Sequence, residues 1–213
     1  MMKKYENKTN VEARQLGKEL RKLGRVTAPA SLLSGILMRI GLGDSYWRLE
    51  TAIGPMFIAY NKNGISAIMR AKDVGDFERS FRSRFGRSVY LVREPPAGLI
   101  RDISKQLSGI GRPKLKFNLH FLSDFERSVL FKTLEIPRGE VRPYAWIAQE
   151  IGYPKAVRAV GSVLAKNPIA LLIPCHRVVR SDGHIGDYAF GNKAKRTLLS
   201  GEGIDPEGLE GLA

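Results

Sequence analysis

The chain has 213 residues, of which 43% are hydrophobic, and its formal net charge at pH 7 is +14. This composition supports a real core in one large domain or two small ones, and it excludes a disordered chain. The single cysteine, Cys175, excludes an internal disulfide and any zinc site built on two or more cysteines. The positive charge favours a polyanionic partner, with nucleic acid ahead of an anionic membrane surface.

The sequence carries no sign of a membrane or secretory segment. No run of about 18 consecutive apolar residues occurs, and the polar, basic N-terminus lacks the apolar stretch of a secretory signal. We therefore expect a cytoplasmic protein. The charge is uneven, because residues 154–197 carry eight Lys and Arg residues against two Asp, whereas four acids and no Lys or Arg occur from residue 198 onward. The positive charge thus surrounds the segment that contains the cysteine.

Residues 1–45 are predicted to form a basic N-terminal extension. Residues 1–25 hold eight Lys and Arg residues and three Glu, with few large apolar residues. A solvated arm and a DNA-contacting arm both fit this pattern, and the sequence leaves the choice open. Residues 31–41 predict a short apolar helix that ends at a glycine.

Residues 46–116 predict a small α/β domain. Turn residues separate β-prone runs at 48–51, 56–60 and 65–69, a pattern typical of a hairpin meander. Residues 73–85 and 99–107 have helical spacing, and residues 89–92 predict another strand. A connector rich in Gly, Pro and basic residues follows, and no catalytic constellation stands out before it.

Residues 117–213 predict a mostly helical domain. Ser123 and Glu126 have the spacing of a capping box, which starts a helix that runs to about residue 134. Residues 144–151 and 155–165 then predict two helices joined by a tight turn that contains a glycine. This spacing fits a helix-turn-helix, although an ordinary helix pair in a core has the same spacing. Small residues on the second helix allow close approach to a neighbouring helix or to a nucleic-acid groove: Ala156, Ala159, Gly161 and Ser162.

Cys175 stands between apolar runs and is followed by His176 and Arg177. An imidazole and a guanidinium beside a thiol are the setting that lowers a cysteine pKa and makes a nucleophilic thiolate. A buried, inert cysteine is the alternative, because free cysteine often behaves as a small core hydrophobe.

Four short motifs surround this cysteine: Asn-Pro at 167–168, Ile-Pro-Cys-His-Arg-Val-Val at 173–179, Ser-Asp-Gly at 181–183 and Gly-Asp-Tyr at 186–188. Together they closely resemble the O6-alkylguanine-DNA alkyltransferases, also called methylated-DNA–protein-cysteine methyltransferases. The resemblance is strong over residues 122–203. It is weaker over residues 46–116, where the family has a small α/β domain with an antiparallel sheet.

The resemblance implies an α/β (α+β) fold. A small N-terminal α/β domain with an antiparallel sheet would precede a mostly helical C-terminal domain that contains the helix-turn-helix. The predicted division is therefore an extension at 1–45, the small domain at 46–116 and the alkyltransferase domain at 117–213.

The same resemblance implies a catalytic role for five residues. Cys175 would accept the alkyl group, His176 would act as its base through a bridging water, and Glu202 would orient His176. Asn167 would brace the turn that carries the cysteine. Tyr144 would donate a proton or a hydrogen bond to the guanine as it leaves.

The family also implies how DNA would bind. The second helix of the helix-turn-helix would enter the minor groove, and Arg158 would fill the gap left by a flipped nucleotide, since the target atom is inaccessible in stacked DNA. The expected DNA contacts are Lys155, Ala156, Arg158, Ala159, Gly161, Ser162 and Arg177. The expected pocket residues are Val178, Tyr188, Ala189 and Phe190.

The implied reaction is an irreversible transfer of a methyl or other alkyl group from O6-alkylguanine in double-stranded DNA to Cys175. It needs no cofactor and no metal, each molecule acts once, and a monomer suffices; O4-alkylthymine is a further candidate substrate. Two positions depart from the expected pattern. We predict that the bulky Phe190 narrows the pocket, so that benzyl adducts react poorly relative to methyl adducts. Asp187 stands where a neutral residue is expected, and the sequence gives no explanation for it.

Three other functions remain as alternatives. An alkyltransferase-like protein binds damaged DNA without chemistry, but in that subgroup the cysteine is replaced. A helix-turn-helix transcription regulator would need a second DNA-binding domain, for which residues 1–45 are short. A cysteine hydrolase would need an oxyanion hole and usually a base distant in sequence, which adjacent Cys175 and His176 do not provide.

Overall fold

The computed structural model describes residue 36 and residues 43–111 and 114–209. Most of the predicted basic extension at 1–45 and of the apolar helix at 31–41 therefore lies outside the described residues. The described residues from Gly43 onward belong to one compact unit. The division of this unit into domains at residue 116 stays a prediction.

A four-stranded sheet forms the N-terminal half. Strands β1 (Gly43–Thr51), β2 (Gly54–Asn61) and β3 (Gly64–Met69) make the predicted antiparallel meander. Strand β4 (Ser88–Leu91) completes the order β3-β2-β1-β4 and runs parallel to β1, so the sheet is not wholly antiparallel. Strand β1 starts before the predicted residue 48 because its first residues pair with β4, a long-range contact that the local pattern does not encode.

Two helices cover the sheet. Helix α1 (Val74–Phe85) buries Phe77 and Phe81 against Tyr46 and Phe57. Helix α2 (Ala97–Ser108) buries Ile103 in the main core, to which the alternate sheet residues Trp47, Met56 and Ile58 contribute. Because successive strand residues point to opposite faces, the two clusters lie on opposite sides of the sheet.

The C-terminal half is mainly helical. Helix α3 (Asp124–Leu134) begins with the predicted capping box: Ser123 Oγ accepts a hydrogen bond from the Glu126 amide, and Glu126 accepts one from the Ser123 amide. Helix α4 (Tyr144–Glu150) and helix α5 (Val157–Ala165) form the helix-turn-helix.

The turn between α4 and α5 depends on Gly152. Its φ of +80° is the left-handed conformation that favours glycine, and the amides of Gly152 and Tyr153 bond to the carbonyls of Gln149 and Ala148. This is the Schellman pattern that ends a helix. Helix α5 starts two residues later than predicted, because the Ala156 amide is held by the Tyr153 carbonyl in the turn.

A short parallel pair of strands, not predicted from the sequence, positions the cysteine segment next to the helix-turn-helix. Strand β5 (Arg142–Pro143) precedes α4 directly, and strand β6 (Val178–Val179) starts three residues after Cys175. Their pairing ties the start of the helix-turn-helix to the cysteine segment. Helix α6 (Asn192–Gly201) then returns the chain to this segment. Within the part of the chain described, no helix has the length and apolar character needed to cross a membrane.

Candidate active site

Cys175 lies at the start of a single 3-10 turn, Cys175–Arg177, inside an apolar shell. Pro174 has φ −80° and ψ 60°, and the Cys175 amide donates to the Ile173 carbonyl at 2.8 Å, which is an inverse γ-turn. Ile173 and Val178 on either side are fully buried. Two successive turns therefore fix the direction of the cysteine side chain, which is 5% exposed.

Asn167 stabilises this turn through hydrogen bonds to the backbone. Its Nδ2 donates to the Ile173 carbonyl at 3.1 Å and to Cys175 Sγ at 3.2 Å, while its Oδ1 accepts from the Ile169 amide at 2.9 Å. The residue is 5% exposed and uses both ends of its amide. Asn167 thus fixes the loop backbone and also places a hydrogen-bond donor on the sulfur.

His176 and Glu202 form a buried pair on the far side of the turn. His176 Nε2 lies 2.9 Å from Glu202 Oε1. Arg177 grips the same carboxylate with Nε at 2.8 Å and Nη2 at 2.9 Å, and donates through Nη1 to the Ile136 carbonyl at 2.7 Å. The Gly139 amide also donates to this carboxylate at 3.3 Å, and Arg138 Nη1 lies 3.8 Å from it, so four residues hold Glu202 in place near the C-terminal end of the described chain.

The burial of these groups sets their protonation. Burial raises the pKa of Cys175 to about 11, although the bond from Asn167 acts in the opposite direction. The prediction that its neighbours lower the cysteine pKa is therefore wrong for this structure, since Arg177 turns to Glu202 and the sulfur loses its hydration. Burial lowers the pKa of His176. Burial acts to raise the pKa of Glu202, but its hydrogen bonds with His176 and Arg177 outweigh this and lower it to about 2.

Cys175 opens on a cavity of about 550 Å³ between the cysteine loop and the helix-turn-helix. Tyr144 and Arg158, from α4 and α5, form one wall, and Tyr188 and Ala189 form another. The lining residues are Tyr144, Val157, Arg158, Gly161, Leu164, Ala165, Cys175, Arg180, Gly186, Asp187, Tyr188 and Ala189. This size and mostly apolar lining suit a planar ring with a few polar contacts.

Two predicted pocket residues lie outside that lining. Val178 is fully buried behind the loop. Phe190 packs its ring edge-on against Tyr188, with centroids 5.6 Å apart, and lies in a neighbouring cavity instead. Phe190 therefore backs a wall of the pocket and does not narrow it directly.

Of the predicted DNA contacts, the residues of α5 and the turn before it are accessible to a partner, whereas Arg177 is not. Lys155, Arg158, Ala159 and Ser162 are exposed on one side of α5 and the turn before it, and Ala156 and Gly161 are half-buried. Arg177 is 8% exposed and its guanidinium is fully used by Glu202 and Ile136. Its prediction as a DNA contact is corrected here, because a side chain committed to a buried carboxylate has no reach to a phosphate.

Lys195 is a site residue that its own residue type does not reveal. It is 0% exposed, and its Nζ donates to the carbonyls of Val178, at 2.6 Å, and of Ile185. Burial lowers its pKa to about 8. A lysine in a helix is normally a surface residue, and nothing in the sequence pattern singles this one out. It joins the segment after Cys175 to the loop that leads to Tyr188.

Two fully buried side-chain atoms at the site have no hydrogen-bond partner among the described residues: His176 Nδ1 and Tyr188 Oη. The helix-turn-helix and the cysteine loop thus face the same cavity. Together they define a class of protein, one in which a helix-turn-helix and a buried cysteine line the same cavity.

Comparison with known proteins places the chain within that class. Residues 124–204 match the family model described as 6-O-methylguanine DNA methyltransferase, DNA binding domain. The methylated-DNA–protein-cysteine methyltransferase of Methanosarcina barkeri is 38% identical over 155 residues, which is 71% of this chain and 92% of that protein. The chain belongs to this methyltransferase family.

Solved structures agree with this assignment. The Mycobacterium tuberculosis OGT in complex with DNA has a TM-score of 0.62 and 28% identity, covering 78% of this chain and 94% of that one. The O6-methylguanine-DNA methyltransferase of Pyrococcus kodakaraensis has a TM-score of 0.57 and 26% identity, covering 76% and 99%. The predicted mixed α/β fold and the family are therefore confirmed.

Proposed function

We propose that this protein repairs DNA by transferring an alkyl group from O6-alkylguanine to Cys175, irreversibly and once per molecule. The observation that carries the proposal is the position of Cys175 in a cavity whose opposite wall is the helix-turn-helix. A cysteine thiol in a helix-turn-helix protein, at a cavity of about 550 Å³ that has room for a base, suits chemistry on a nucleotide taken out of the duplex. Membership of the methyltransferase family supports the same reaction.

The target atom is inaccessible in a stacked duplex, so the damaged nucleotide must rotate into the cavity. Arg158 is exposed on α5 at the rim of that cavity, where its side chain can occupy the space the nucleotide leaves. The exposed side of α5 carries the small residues Ala159 and Ser162, which allow the helix backbone to approach a narrow groove closely. Lys155 adds a cation at the start of the helix, where it would contact phosphate.

The proton relay begins at Glu202. An ionised carboxylate only accepts hydrogen bonds, so the His176 nitrogen facing it, Nε2, carries a hydrogen. In neutral His176 the other nitrogen, Nδ1, then has a free lone pair. We assign Nδ1 as the base that removes the Cys175 proton through a water molecule.

In the transfer step the Cys175 sulfur attacks the alkyl carbon in line with the bond to O6. A carbon–sulfur bond forms, the carbon–O6 bond breaks, and its electron pair passes to the guanine. Tyr144 donates a proton to the leaving ring and recovers one from solvent, and His176 releases to solvent the proton that it took from Cys175. Overall, the thiol proton is exchanged for the alkyl group. Guanine is restored, and the product thioether is stable, which ends the activity of that molecule.

A duplex with one O6-methylguanine tests the proposal. Incubation with a molar excess of the protein is expected to convert the lesion to guanine, as measured by digestion and nucleoside chromatography. The matched control is Cys175→Ala, which keeps the helix-turn-helix and should bind the duplex without repairing it. Repair by Cys175→Ala would refute the assigned acceptor.

The same experiment separates the repair enzyme from a damage-binding protein. If the wild-type chain binds the lesion duplex tightly and leaves the methyl group in place, the chain acts as an alkyltransferase-like binder. Binding is followed by electrophoretic mobility shift under the conditions of the repair assay. We also propose that the protein acts as a monomer, to be checked by light scattering of the complex.

A further inference from the structure

Arg70 contacts a residue behind the catalytic cavity from outside it. Arg70 follows the last residue of β3, and its guanidinium carbon lies 5.4 Å from the centre of the Phe190 ring. A guanidinium within about 6 Å of a ring centroid is attracted to the ring's negative face. Arg70 also donates through Nη2 to the Ile53 carbonyl at 2.7 Å, in the turn between β1 and β2.

Phe190 transmits this contact to the cavity. Its ring meets Tyr188 edge-on at 5.6 Å, and Tyr188 in turn meets His176 edge-on at 6.2 Å. Tyr188 forms a wall of the cysteine cavity, whereas Phe190 lies behind it. Arg70, Phe190, Tyr188 and His176 thus form a continuous row of contacts from the sheet to the catalytic pair.

The base of Arg70 is itself fixed to the cysteine loop. Met69 pairs with Phe57 in the sheet, and the Ile68 amide donates to the Pro168 carbonyl at 2.8 Å. Pro168 follows Asn167, which bonds to the cysteine sulfur. The sheet therefore has a fixed position relative to Cys175. A side chain at the end of β3 can hold the Tyr188 wall of the cavity at a fixed distance from the cysteine.

We propose that Arg70 is a positioning residue that holds the Tyr188 wall of the catalytic cavity in place through Phe190. The inference rests on the proposed alkyl transfer, because it concerns the geometry in which the base meets the sulfur. Without Arg70, Phe190 loses its cation partner and the segment from Tyr188 to Phe190 has more freedom. Bound guanine is then held less well against Cys175, which slows the transfer step and leaves the binding of the duplex unchanged.

A direct contact between Arg70 and DNA phosphate is the competing explanation. Arg70 is exposed, and Lys193 lines the same neighbouring cavity, so the two cations could attract a polyanion. The two roles differ in what they change. Loss of a phosphate contact lowers duplex affinity and its salt dependence, whereas loss of a positioning contact lowers the transfer rate at saturating duplex.

The test is a double-mutant cycle on the single-turnover rate constant at saturating O6-methylguanine duplex, with the duplex Kd measured in parallel. The variants are Arg70→Ala, Phe190→Leu, their combination, and Arg70→Lys, which keeps a cation over the ring. Arg48→Ala is the matched control, since Arg48 is an exposed arginine of the same sheet that pairs only with Glu50 among the ion pairs described. It removes the same charge at a distance from the cavity wall.

We expect Arg70→Ala to lower the rate constant about two- to fivefold, which corresponds to an exposed cation–π contact. The Kd should match that of Arg48→Ala, Arg70→Lys should recover most of the rate, and the double variant should be no slower than Phe190→Leu alone. Multiplying effects in the double variant, or a loss confined to Kd, would overturn the inference. A wild-type chain that transfers no methyl group would instead refute the proposed function, so the two failures are distinguishable.

Discussion

The side-chain amide of Asn167 lies 3.2 Å from the sulfur of Cys175 and donates a hydrogen bond to it. Burial raises the pKa of Cys175, and this bond is the largest influence that lowers it. The same amide group holds the Ile173 carbonyl, so one side chain shapes the loop and favours the charged form of the nucleophile.

Removing that amide should therefore damage the chemistry more than DNA binding. We expect Asn167→Ala to slow methyl transfer at saturating duplex by about tenfold or more, because it deletes a bond to the forming thiolate and leaves buried polar groups unpaired, at a cost of about 1–3 kcal/mol each. Rapid-quench measurement of the transfer rate checks this. Asn63→Ala, in the exposed turn before β3, is the control and should leave the rate unchanged. A normal rate in Asn167→Ala would show that the sulfur needs no donor there.

The buried thiol should be unreactive in the free protein at neutral pH. Because the pKa of Cys175 is raised to about 11, its rate of alkylation by iodoacetamide should increase about tenfold per pH unit between pH 7 and 10. Mass spectrometry of the modified chain follows the rate. A plateau near pH 8 would mean that the free protein already holds a thiolate, as the sequence alone had suggested.

Glu202 should couple stability to pH in the acid range. Its folded-state pKa is about 2, below the ordinary 4.5, so the carboxylate stabilises the fold above pH 4.5 and this contribution is lost as the pH falls toward 2. Glu202→Gln should cost about 1.5–3 kcal/mol at pH 7, because His176 and Arg177 lose a charged acceptor. Urea unfolding from pH 7 to pH 3 measures both effects.

The difference in unfolding free energy between the wild-type chain and Glu202→Gln should shrink as the pH falls. A control at an exposed acid, Glu50→Gln, should show little difference at any pH, since surface ion pairs contribute little. A constant difference for Glu202→Gln would contradict the depressed pKa.

The sequence predicted the cysteine, its base and its orienting acid through a motif of the family, and the structure brings those three residues together. It also predicted the meander, the capping box and the helix-turn-helix, since each is encoded in local spacing. The pairing of β5 with β6 and of β1 with β4 joins segments far apart in the chain, which no local pattern reports.

One physical cause explains what sequence reasoning missed or mispredicted at the site. Arg177 and Lys195 are charged residues that normally lie on the surface, yet each is buried here with its hydrogen bonds satisfied by Glu202 or by carbonyl groups. Burial also reverses the expected shift of the Cys175 pKa, because loss of hydration outweighs the neighbouring charges. The number of atoms packed around a side chain is a property of the fold, which residue identity does not supply.

Gly161 offers a test of the groove-facing helix that separates stability from binding. A Cβ added there would meet only Tyr144, at 3.8 Å, so Gly161→Ala should fold and gain up to about 1 kcal/mol of helix stability. We expect weaker binding of duplex DNA that carries the lesion, since the added methyl group points toward Tyr144 into the cavity that would receive the flipped base. Gly98→Ala in α2, where the site is open, should give the stability gain without the loss of affinity. Unchanged affinity in Gly161→Ala would place the DNA on another surface.

The central claim is that Cys175 takes the alkyl group, and intact-mass spectrometry of the protein tests it most directly. After incubation with an O6-methylguanine duplex, the wild-type chain should gain the mass of one methylene unit, in proportion to the duplex consumed, and peptide mapping should place it on Cys175. Cys175→Ala should gain nothing. An unchanged wild-type mass, or a methyl group on any other residue, would contradict the account.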